Sequence, residues 1–387
     1  MSSSWESVPL RELCEFHNGL WTGKNGPFET ATVIRNTNFT PDGRIDLSDV
    51  AILQVEARHL AKRRLRKGDI IIEKSGGGPK QPVGRVVLFE LDAADYSFSN
   101  FTSAIRVKNP KALDPTFLHR VLYWWYVSGL TEPLQRRSTG IRNLDFDAYK
   151  SLEVPLPSLD EQKRIVAKLD QAFAALDRAR ANAEANLDAA IKLPETWLQG
   201  LFEGSNEWPN HALADICENL DRLRVPITKG DREPGDIPYY GASGVVDHVR
   251  GYLFDEDLLL VSEDGANLLA RTYPIAFSIS GKAWVNNHAH VLRFDDSTTQ
   301  EFVRLYLNSI SLKPYVTGMA QPKLNQAALN GIPIPLPSPD VREEIVNKAH
   351  QISAESGRAA ASYQAQSADI AALRQSLLQA AFSGQLS

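Results

Sequence analysis

Residue types that carry out catalysis occur in this sequence, but not at the spacings that catalysis requires. Three glycines at 76–78 followed by Lys80 are similar to a phosphate-binding loop, yet the complete glycine-lysine-serine/threonine motif is missing. We therefore predict an ordinary glycine loop. His288 and His290 lie two residues apart, so a strand would turn both toward one face. Two ligands without a third do not predict a metal site.

Two acidic segments also fall short of catalytic patterns. Asp69, Glu73 and Lys74 lack the acid-x-lysine spacing of a nuclease, because Glu73 and Lys74 are adjacent. Asp114 followed by Pro115 begins like the Asp-Pro-Pro-aromatic loop of adenine methyltransferases, but the second proline is missing and no glycine-rich cofactor loop lies upstream. The start of a helix is the better interpretation. The sequence thus predicts neither a catalytic site, nor a cofactor, nor a metal ion.

Side chains suited to reading nucleic acid are grouped in two separate stretches. Arginine pairs with guanine, asparagine and glutamine pair with adenine, and a carboxylate accepts from cytosine. Lysine and arginine bind phosphates, and glycine lets the backbone approach a base. In the first stretch the candidates are Lys24, Arg35, Asn36, Asn38, Lys74, Ser75, Gly76, Gly77, Lys80, Gln81, Asn100, Arg136, Arg137, Ser138, Thr139, Arg142 and Asn143. In the second they are Tyr239, Tyr240, Ser243, Asp264, Asn267, Asn286, Asn287, His288, Gln321, Lys323 and Asn325.

The charge of the two stretches differs. The chain has a net charge of −5 and a pI of about 6.0. Residues 1–150 contain 21 lysines and arginines against 17 acidic residues, whereas residues 205–330 contain 11 against 16. Only the first stretch is basic overall. Binding of a polyanion by the second must therefore depend on local clustering or on the charge of a partner.

The segments that must position these residues include a long helix that occurs twice. The sequence Val-Pro-Leu-Pro-Ser-Leu-Asp at 154–160 recurs as Ile-Pro-Leu-Pro-Ser-Pro-Asp at 334–340, and the shift of 180 residues then holds to the last residue. After each copy, apolar residues follow the alternating three- and four-residue spacing of a packed helix. Two long helices with alanine-rich seams are suited to pack against each other, although each could instead pack on its own domain.

The ends of both helices carry recognisable signals. Ser158 with Glu161 fits a capping box, and Asp340 is the expected cap of the second helix. Pro194 is expected to end or kink the first helix near Leu193, which gives 34 residues and a length of about 50 Å.

The stretches before the two helices are related to each other more loosely. The segment Gly-Asp-Ile-Ile-Ile at 68–72 resembles Glu-Asp-Leu-Leu-Leu at 256–260, but the offset between matching segments falls from 203 to 180 along the stretch. Short strand-like runs dominate, with a helix-like run at 116–128. We therefore predict two α+β domains with a shared set of strands and variable loops, which is typical of recognition modules.

Cysteine usage and hydropathy favour a cytoplasmic protein. Cys14 and Cys217 could form a disulfide, but two buried reduced thiols are favoured. No apolar run reaches the roughly 18 residues of a membrane span, and residues 1–6 do not resemble a signal peptide.

Several segments resemble the specificity subunits of type I restriction–modification systems. The resemblance rests on VPLPSLDEQKRIV at 154–166, LLQAAFSGQL at 377–386 and YYGASG at 239–244, with support from 68–72, 263–267 and 286–290, and it covers nearly the whole chain. The second helix start departs from the pattern, because Val-Arg at 341–342 replaces the Glu-Gln of the first copy.

This resemblance implies a non-catalytic, sequence-specific DNA-binding subunit with an internal pseudo-two-fold repeat. Target recognition domains at 1–153 and 205–332 would each read half of a bipartite, asymmetric DNA site. Helical segments at 154–204 and 333–387 would form an antiparallel coiled-coil spacer and bind two methyltransferase subunits, which restriction subunits join. The residues expected to bind partners are Glu161, Gln162, Arg164, Phe202, Arg342, Glu343 and Phe382. The alternative is a scaffold protein without sequence-specific DNA contacts.

Overall fold

The computed structural model describes residues 5–78, 81–92, 95–138, 141–318 and 321–383, without the side chains of Arg137, Ser138 and Asn206. Two compact units emerge: unit 1 contains residues 1–183 and 365–387, and unit 2 contains residues 184–364. Each unit therefore includes part of both long helices. The four-segment division predicted above remains a proposal.

Unit 1 mixes short strands with helices. Its strands are β1 (Glu6–Pro9), β2 (Cys14–Asn18), β3 (Phe28–Ile34), β4 (Ala51–Glu56), β5 (Ile70–Glu73), β6 (Ser75–Gly77), β7 (Val86–Leu88), β8 (Tyr96–Phe98), β9 (Thr102–Val107), β10 (Gln135–Ser138), β11 (Ile141–Leu144) and β12 (Glu153–Leu156). Its helices are α1 (Leu10–Leu13), α2 (Ala57–Arg63), α3 (Pro115–Val127), α4 (Phe146–Lys150) and the first part of α5 (Leu159–Glu203).

An antiparallel sheet in the order β2-β9-β5-β7 is the centre of unit 1. Smaller sheets have the orders β4-β3-β8, β10-β11-β6 and β1-β12. Helix α3 packs beside β7, and its apolar side chains complete the main core. Asp114 caps α3 by accepting from the backbone N–H groups of Thr116 at 2.8 Å and Phe117 at 3.0 Å. The Asp-Pro segment therefore starts a helix, as predicted.

Unit 2 has a related set of elements. Its strands are β13 (Asn210–Ala212), β14 (Glu218–Asn219), β15 (Pro234–Gly241), β16 (Gly244–Val249), β17 (Phe254–Asp255), β18 (Leu258–Ser262), β19 (Ala276–Ile279), β20 (Lys282–Val285), β21 (Ala289–Arg293) and β22 (Pro333–Pro335). Its helices are α6 (Leu213–Ile216), α7 (Asn267–Ala270), α8 (Ser297–Ser309), α9 (Gln326–Asn330), the end of α5 and the first part of α10 (Pro339–Phe382).

The central sheet of unit 2 is again antiparallel, in the order β14-β21-β18-β19, and helix α8 packs on it. A second sheet has the order β16-β15-β20-β17. In both units a buried strand, β5 or β18, lies between two antiparallel neighbours. The predicted α+β class is confirmed in each unit.

Helices α5 and α10 pair with each other, as predicted. In unit 1, Arg374 of α10 donates to Asp177 of α5 and lies 4.4 Å above the ring centroid of Phe173. In unit 2, Ser356 of α10 donates to the carbonyl oxygen of Ala190 of α5. The contact residue on α10 moves toward its start as the residue on α5 moves toward its end, so the two helices run antiparallel.

Of the two expected effects of Pro194, the end of the first helix near Leu193 was wrong, and so was the length of 34 residues. Helix α5 continues through Pro194 for a total of 45 residues. Proline has no N–H, so the carbonyl of Ala190, four residues earlier, loses its usual donor. The hydroxyl of Ser356 supplies one instead. A tertiary contact thus compensates for the local defect.

Two other local predictions need correction. Helix α10 begins at Pro339, which suits the first helical position, so Asp340 lies in the first turn and is not the cap. The predicted glycine loop contains strand β6, Ser75–Gly77, because β11 supplies a pairing partner from far along the chain.

Both cysteines are free thiols. Burial raises the pKa of Cys14 and of Cys217 to about 12, which keeps them protonated and unreactive. Within the described ranges, none of the helices combines the length and apolar character needed to cross a bilayer.

Candidate nucleic-acid interface

Three segments of unit 1 that contain predicted contact residues converge at one end of β5. The backbone N–H of Lys74 donates to the carbonyl of Phe101 at 2.9 Å, and the N–H of Leu144 donates to the carbonyl of Lys74 at 2.8 Å. Ser75 pairs with Asn143 across β6 and β11. We define junction 1 as residues 74–77, 99–101 and 142–144.

Unit 2 contains the same backbone arrangement at the end of β18. The N–H of Glu263 donates to the carbonyl of His288 at 2.9 Å, and the N–H of Leu324 donates to the carbonyl of Glu263 at 2.8 Å. Asp264 and Lys323 form an isolated antiparallel bridge. We define junction 2 as residues 263–266, 286–288 and 322–324.

The matching hydrogen bonds align the two junctions residue by residue. Lys74 corresponds to Glu263, and Gly76 corresponds to Gly265. Both glycines have positive φ values, +96° and +108°, which a residue with a side chain adopts only with strain. Four further pairs of equivalent residues have side chains that are at least partly accessible, and we call these residues the rim of each junction. The pairs are Ser75 with Asp264, Asn100 with Asn287, Phe101 with His288, and Asn143 with Lys323.

The side chains of junction 1 are polar apart from Phe101 and the buried Leu144. The hydroxyl of Ser75 donates to Asn143 Oδ1 at 2.6 Å, and Asn100 is exposed. Lys74 Nζ donates to Asn18 Oδ1 at 3.1 Å. Burial, assisted by nearby Lys150, lowers the pKa of Lys74 below its ordinary value. Because its charge is poorly solvated, a phosphate close to Lys74 would be a favourable partner.

Junction 2 carries charged side chains at the equivalent positions. His288 Nδ1 lies 2.8 Å from Asp264 Oδ2, and the His288 side chain is 50% exposed. Lys323 Nζ lies 3.1 Å from Glu263 Oε1. Asn287 is exposed. Two junctions with one backbone design therefore offer different hydrogen-bonding groups.

Buried ion pairs next to each junction hold the first residues of the junction in place. In unit 1, Arg85 donates to both oxygens of Glu73, at 2.8 and 3.1 Å, and the amide of Asn36 donates to Glu73 at 2.9 Å. Glu73 is the residue before Lys74, so this network fixes the start of the junction. The side chain of Gln81 faces Arg85.

In unit 2, fully buried His290 lies 2.5 Å from Asp221 through Nδ1 and 2.8 Å from the carbonyl of Leu324 through Nε2. Arg224 Nη1 donates to Glu263 Oε2 at 2.6 Å. Burial opposes ionisation of Asp221 and Glu263, but the bonds from His290 to Asp221 and from Arg224 and Lys323 to Glu263 hold both pKa values below their usual range.

This buried cluster is not suited to hold a metal ion. Asp221, Glu263 and His290 are close enough to act as ligands. However, Arg224 already donates to Glu263 and lies 3.4 Å from Asp221, and both ring nitrogens of His290 have partners. His288 and His290 do not share one face of a strand, so that expectation was wrong. His288 precedes β21 and binds Asp264, whereas His290 binds Asp221 inside the unit.

Other predicted contact residues lie outside the junctions with accessible side chains. Arg136 is 70% exposed and bonds to Asp145 at 2.6 Å. Asn325 caps α9 by accepting from the N–H of Ala328. Arg142, by contrast, belongs to junction 1, where its side chain is only 15% exposed and lies 3.9 Å from Glu132. Lys24, Ser243 and Gln321 are exposed. These groups remain candidates for contacts to DNA.

Several predicted contact residues instead hold the fold together. Asn38, Tyr239, Asn267 and Asn286 are buried. Asn38 binds the carbonyls of Asp46 and Asp49, and Tyr239 binds the backbone of Ile227. Asn267 and Asn286 bond to nearby backbone, Arg35 bonds to Asp49, and Tyr240 packs near Phe277. We leave these side chains out of the proposed interface. Lys80 and Thr139, and the side chains of Arg137 and Ser138, lie outside the described residues.

The residues predicted to bind partners divide in the same way. Gln162 is fully buried and joins the start of α5 to α3 by accepting from the N–H of Asp114 at 2.8 Å. Phe382 packs on Phe117 and Trp124 in the core of unit 1, and Phe202 packs on Phe302 and Tyr306 in unit 2. Arg342 donates to Thr299. Arg164, which bonds to Glu161, and Glu343 are exposed near the helix starts.

Sequence reasoning missed Phe101. It lies beside the predicted residue Asn100, directly before β9, and 46% of its surface is exposed. An exposed aromatic residue next to polar contact residues was the available signal.

Comparisons with known proteins agree with this architecture. A family model described as the type I restriction modification DNA specificity domain matches residues 2–186 and again residues 205–358. Similar proteins include a chain of Haemophilus influenzae named as a type I restriction enzyme specificity subunit, 36% identical over 157 residues, and the MjaX specificity subunit of Methanocaldococcus jannaschii, 23% identical over 163 residues. These matches span 40% and 42% of this chain and only 40% and 37% of the two relatives.

A third relative is similar over a greater length. The StySPI specificity subunit of Salmonella potsdam is 23% identical over an alignment of 433 positions, gaps included, which covers 100% of this chain and 90% of that protein.

Two solved structures share the fold. One comes from a study of complex assembly and conformational transition in a type I R-M system, with a TM-score of 0.74, 20% identity and coverage of 99% of this chain and 98% of that chain. The other is the HsdS subunit of Thermoanaerobacter tengcongensis, with a TM-score of 0.66, 20% identity and coverage of 99% and 97%. Since the family model matches twice and covers most of the residues, the chain belongs to the type I restriction-modification DNA specificity family.

Proposed function

We propose that this chain is the non-catalytic DNA-specificity subunit of a type I restriction–modification complex, and that junctions 1 and 2 each read one half of a bipartite, asymmetric site. The observation that carries this proposal is the equivalence of the two junctions. Two backbone hydrogen bonds at the end of the buried strand match, while the rim side chains differ at Ser75 and Asp264, Phe101 and His288, and Asn143 and Lys323. The same backbone favours the same approach to DNA, and different side chains favour different bases.

The sequence-independent part of binding would come from basic side chains around each junction. Arg136 and Lys24 are exposed in unit 1, and the poorly solvated charge of Lys74 favours a phosphate. The second stretch is acidic overall, so we propose that methyltransferase subunits supply much of the positive charge there.

The partners in this proposal are double-stranded DNA, two methyltransferase subunits and, through them, restriction subunits in the cytoplasm. Helices α5 and α10 would act as the spacer between the half-sites. Exposed Arg164 and Glu343 near the two helix starts are the retained candidates for contact with the methyltransferase.

A genome-wide methylation map tests the proposal. Deleting the gene should abolish adenine methylation at one split motif, and restoring the gene should recover it. Asn287→Ala should relax the motif only in the half read by unit 2, because the exposed Asn287 amide belongs to junction 2. Asn186→Ala, on the exposed side of α5, is the matched control and should leave the motif unchanged. An identical map with and without the gene would overturn the proposal.

A further inference from the structure

Phe101 is held in a fixed place on the rim of junction 1. Its carbonyl oxygen accepts from the backbone N–H groups of both Lys74, at 2.9 Å, and Ser75, at 3.2 Å. Its side chain is nevertheless 46% exposed. The backbone therefore fixes the position of the residue while the ring remains available for contact.

The ring of Phe101 lies against the backbone of Gly76, which has no side chain. A Cβ atom placed on Gly76 would lie 3.5 Å from Cδ1 of Phe101 and 3.2 Å from Nδ2 of Asn36. Glycine at this position thus leaves the ring uncovered. Ile141, which is 50% exposed, lies two residues before Asn143 on β11 and on the same face of the β10–β11 ladder. Apolar groups therefore occur within an otherwise polar surface.

The chemistry of the bases identifies a partner for this ring. In the major groove, the C5-methyl group of thymine is the apolar feature of the base edges, and apolar side chains recognise it. Ser75, Asn143 and Asn100, which belong to junction 1 with Phe101, are suited to the polar edges that surround such a methyl group. We propose, on the basis of the function proposed above, that Phe101 contacts the C5-methyl group of a thymine in the half-site read by unit 1.

Junction 2 supplies a natural comparison. His288 occupies the position equivalent to Phe101 and is bonded to Asp264 at 2.8 Å. Its polar ring is suited to a hydrogen bond with its own half-site. Because His288 fits this backbone arrangement, Phe101→His is a variant that the junction should accommodate without loss of folding.

The test measures how tightly the complete complex of this chain with its methyltransferase subunits binds a DNA duplex. The duplex carries the motif that the methylation map identifies. Each thymine is replaced in turn by deoxyuridine, which lacks only the methyl group. We expect the replacement at one thymine of the half-site read by unit 1 to weaken binding roughly three- to tenfold. Phe101→Ala and Phe101→His should weaken binding to the unmodified duplex to a similar extent. The affinity of these variants should not fall further when deoxyuridine replaces that thymine. Thermal unfolding confirms that the variants are folded.

The controls separate this inference from the function on which it rests. His288→Ala should weaken binding through the other half-site while the deoxyuridine effect persists. The inference is overturned if that half-site contains no thymine, if the wild-type complex tolerates every deoxyuridine, or if Phe101→Ala retains the effect. A wild-type complex that binds a scrambled duplex equally well would instead refute the proposed function.

Discussion

His119 is a buried residue of α3 that should make unit 1 sensitive to acid. It is 2% exposed, and burial, together with the nearby positive charge of Arg120, lowers its pKa to about 3. The folded protein therefore keeps His119 neutral, whereas the unfolded chain binds a proton below about pH 6.5. The stability that depends on neutral His119 is therefore fully present above the pKa of this group in the unfolded chain, about 6.5. It is lost as the pH falls toward 3, the pKa in the folded protein.

The first prediction concerns this titration. Between pH 7 and pH 5, His119 should lower the free energy of unfolding by about 2 kcal/mol, at about 1.4 kcal/mol per pH unit below pH 6.5. His119→Phe should remove this part of the pH dependence, and denaturant unfolding at the two pH values measures it. Exposed His211→Gln serves as the control and should keep the wild-type slope. An unchanged slope in His119→Phe would contradict the prediction.

The second prediction concerns the ion pair beneath junction 1. Glu73 is 1% exposed and accepts two hydrogen bonds from Arg85, so Glu73→Gln should leave a poorly solvated arginine without its counter-charge. We expect a loss of about 3–5 kcal/mol in the free energy of unfolding. The double variant Glu73→Gln/Arg85→Met should be less destabilised than the single variant, since it removes the isolated charge. A double variant as unstable as the sum of both single variants would argue against coupling.

At the scale of elements, one hydroxyl group of α10 compensates for the proline inside α5. Ser356 supplies the donor that Pro194 cannot provide to the Ala190 carbonyl. Ser356→Ala should therefore destabilise unit 2 by about 1–3 kcal/mol, because a buried carbonyl loses its partner. Denaturant unfolding provides the measurement, and exposed Ser353→Ala is the control.

A second substitution makes this third prediction specific. Pro194→Ala restores the helical N–H, so Ser356→Ala should cost much less in a Pro194→Ala background. Equal costs in the two backgrounds would show that Ser356 does not act through the Ala190 carbonyl.

The elements also show how far local sequence determines this fold. The start of α3 was predictable, because Asp114 and Pro115 act within one helical turn. The continuation of α5 through Pro194 was not, because the compensating residue lies 162 positions later in the chain. Strand β6 was not predictable for the same reason, since its pairing partner β11 lies about 65 residues further along the chain.

The candidate interface was predictable in part for the same physical reason. Local composition was sufficient to select Ser75, Asn100, Asn287 and His288, which the structure brings into the two junctions. It could not separate them from Asn38 or Tyr239, which are equally polar in sequence but are buried and bonded within the fold. It also missed Phe101, because only the hydrogen bonds to its carbonyl align it with His288.

For the molecule as a whole, the repeat provides two junctions whose side chains can diverge independently. Each junction is built within one unit from its own three segments, and each has its own buried ion network. Changes at rim positions therefore need not disturb the other unit. An asymmetric recognition site follows if each junction reads one half.

The most direct test transfers the rim of junction 1 to junction 2. In the triple variant Asp264→Ser/His288→Phe/Lys323→Asn, we expect single-molecule sequencing of the host genome to show a methylated motif with an altered second half. The first half should remain unchanged base for base. A motif identical to that of the wild type, or one altered in both halves, would contradict the assignment of one half-site to each junction.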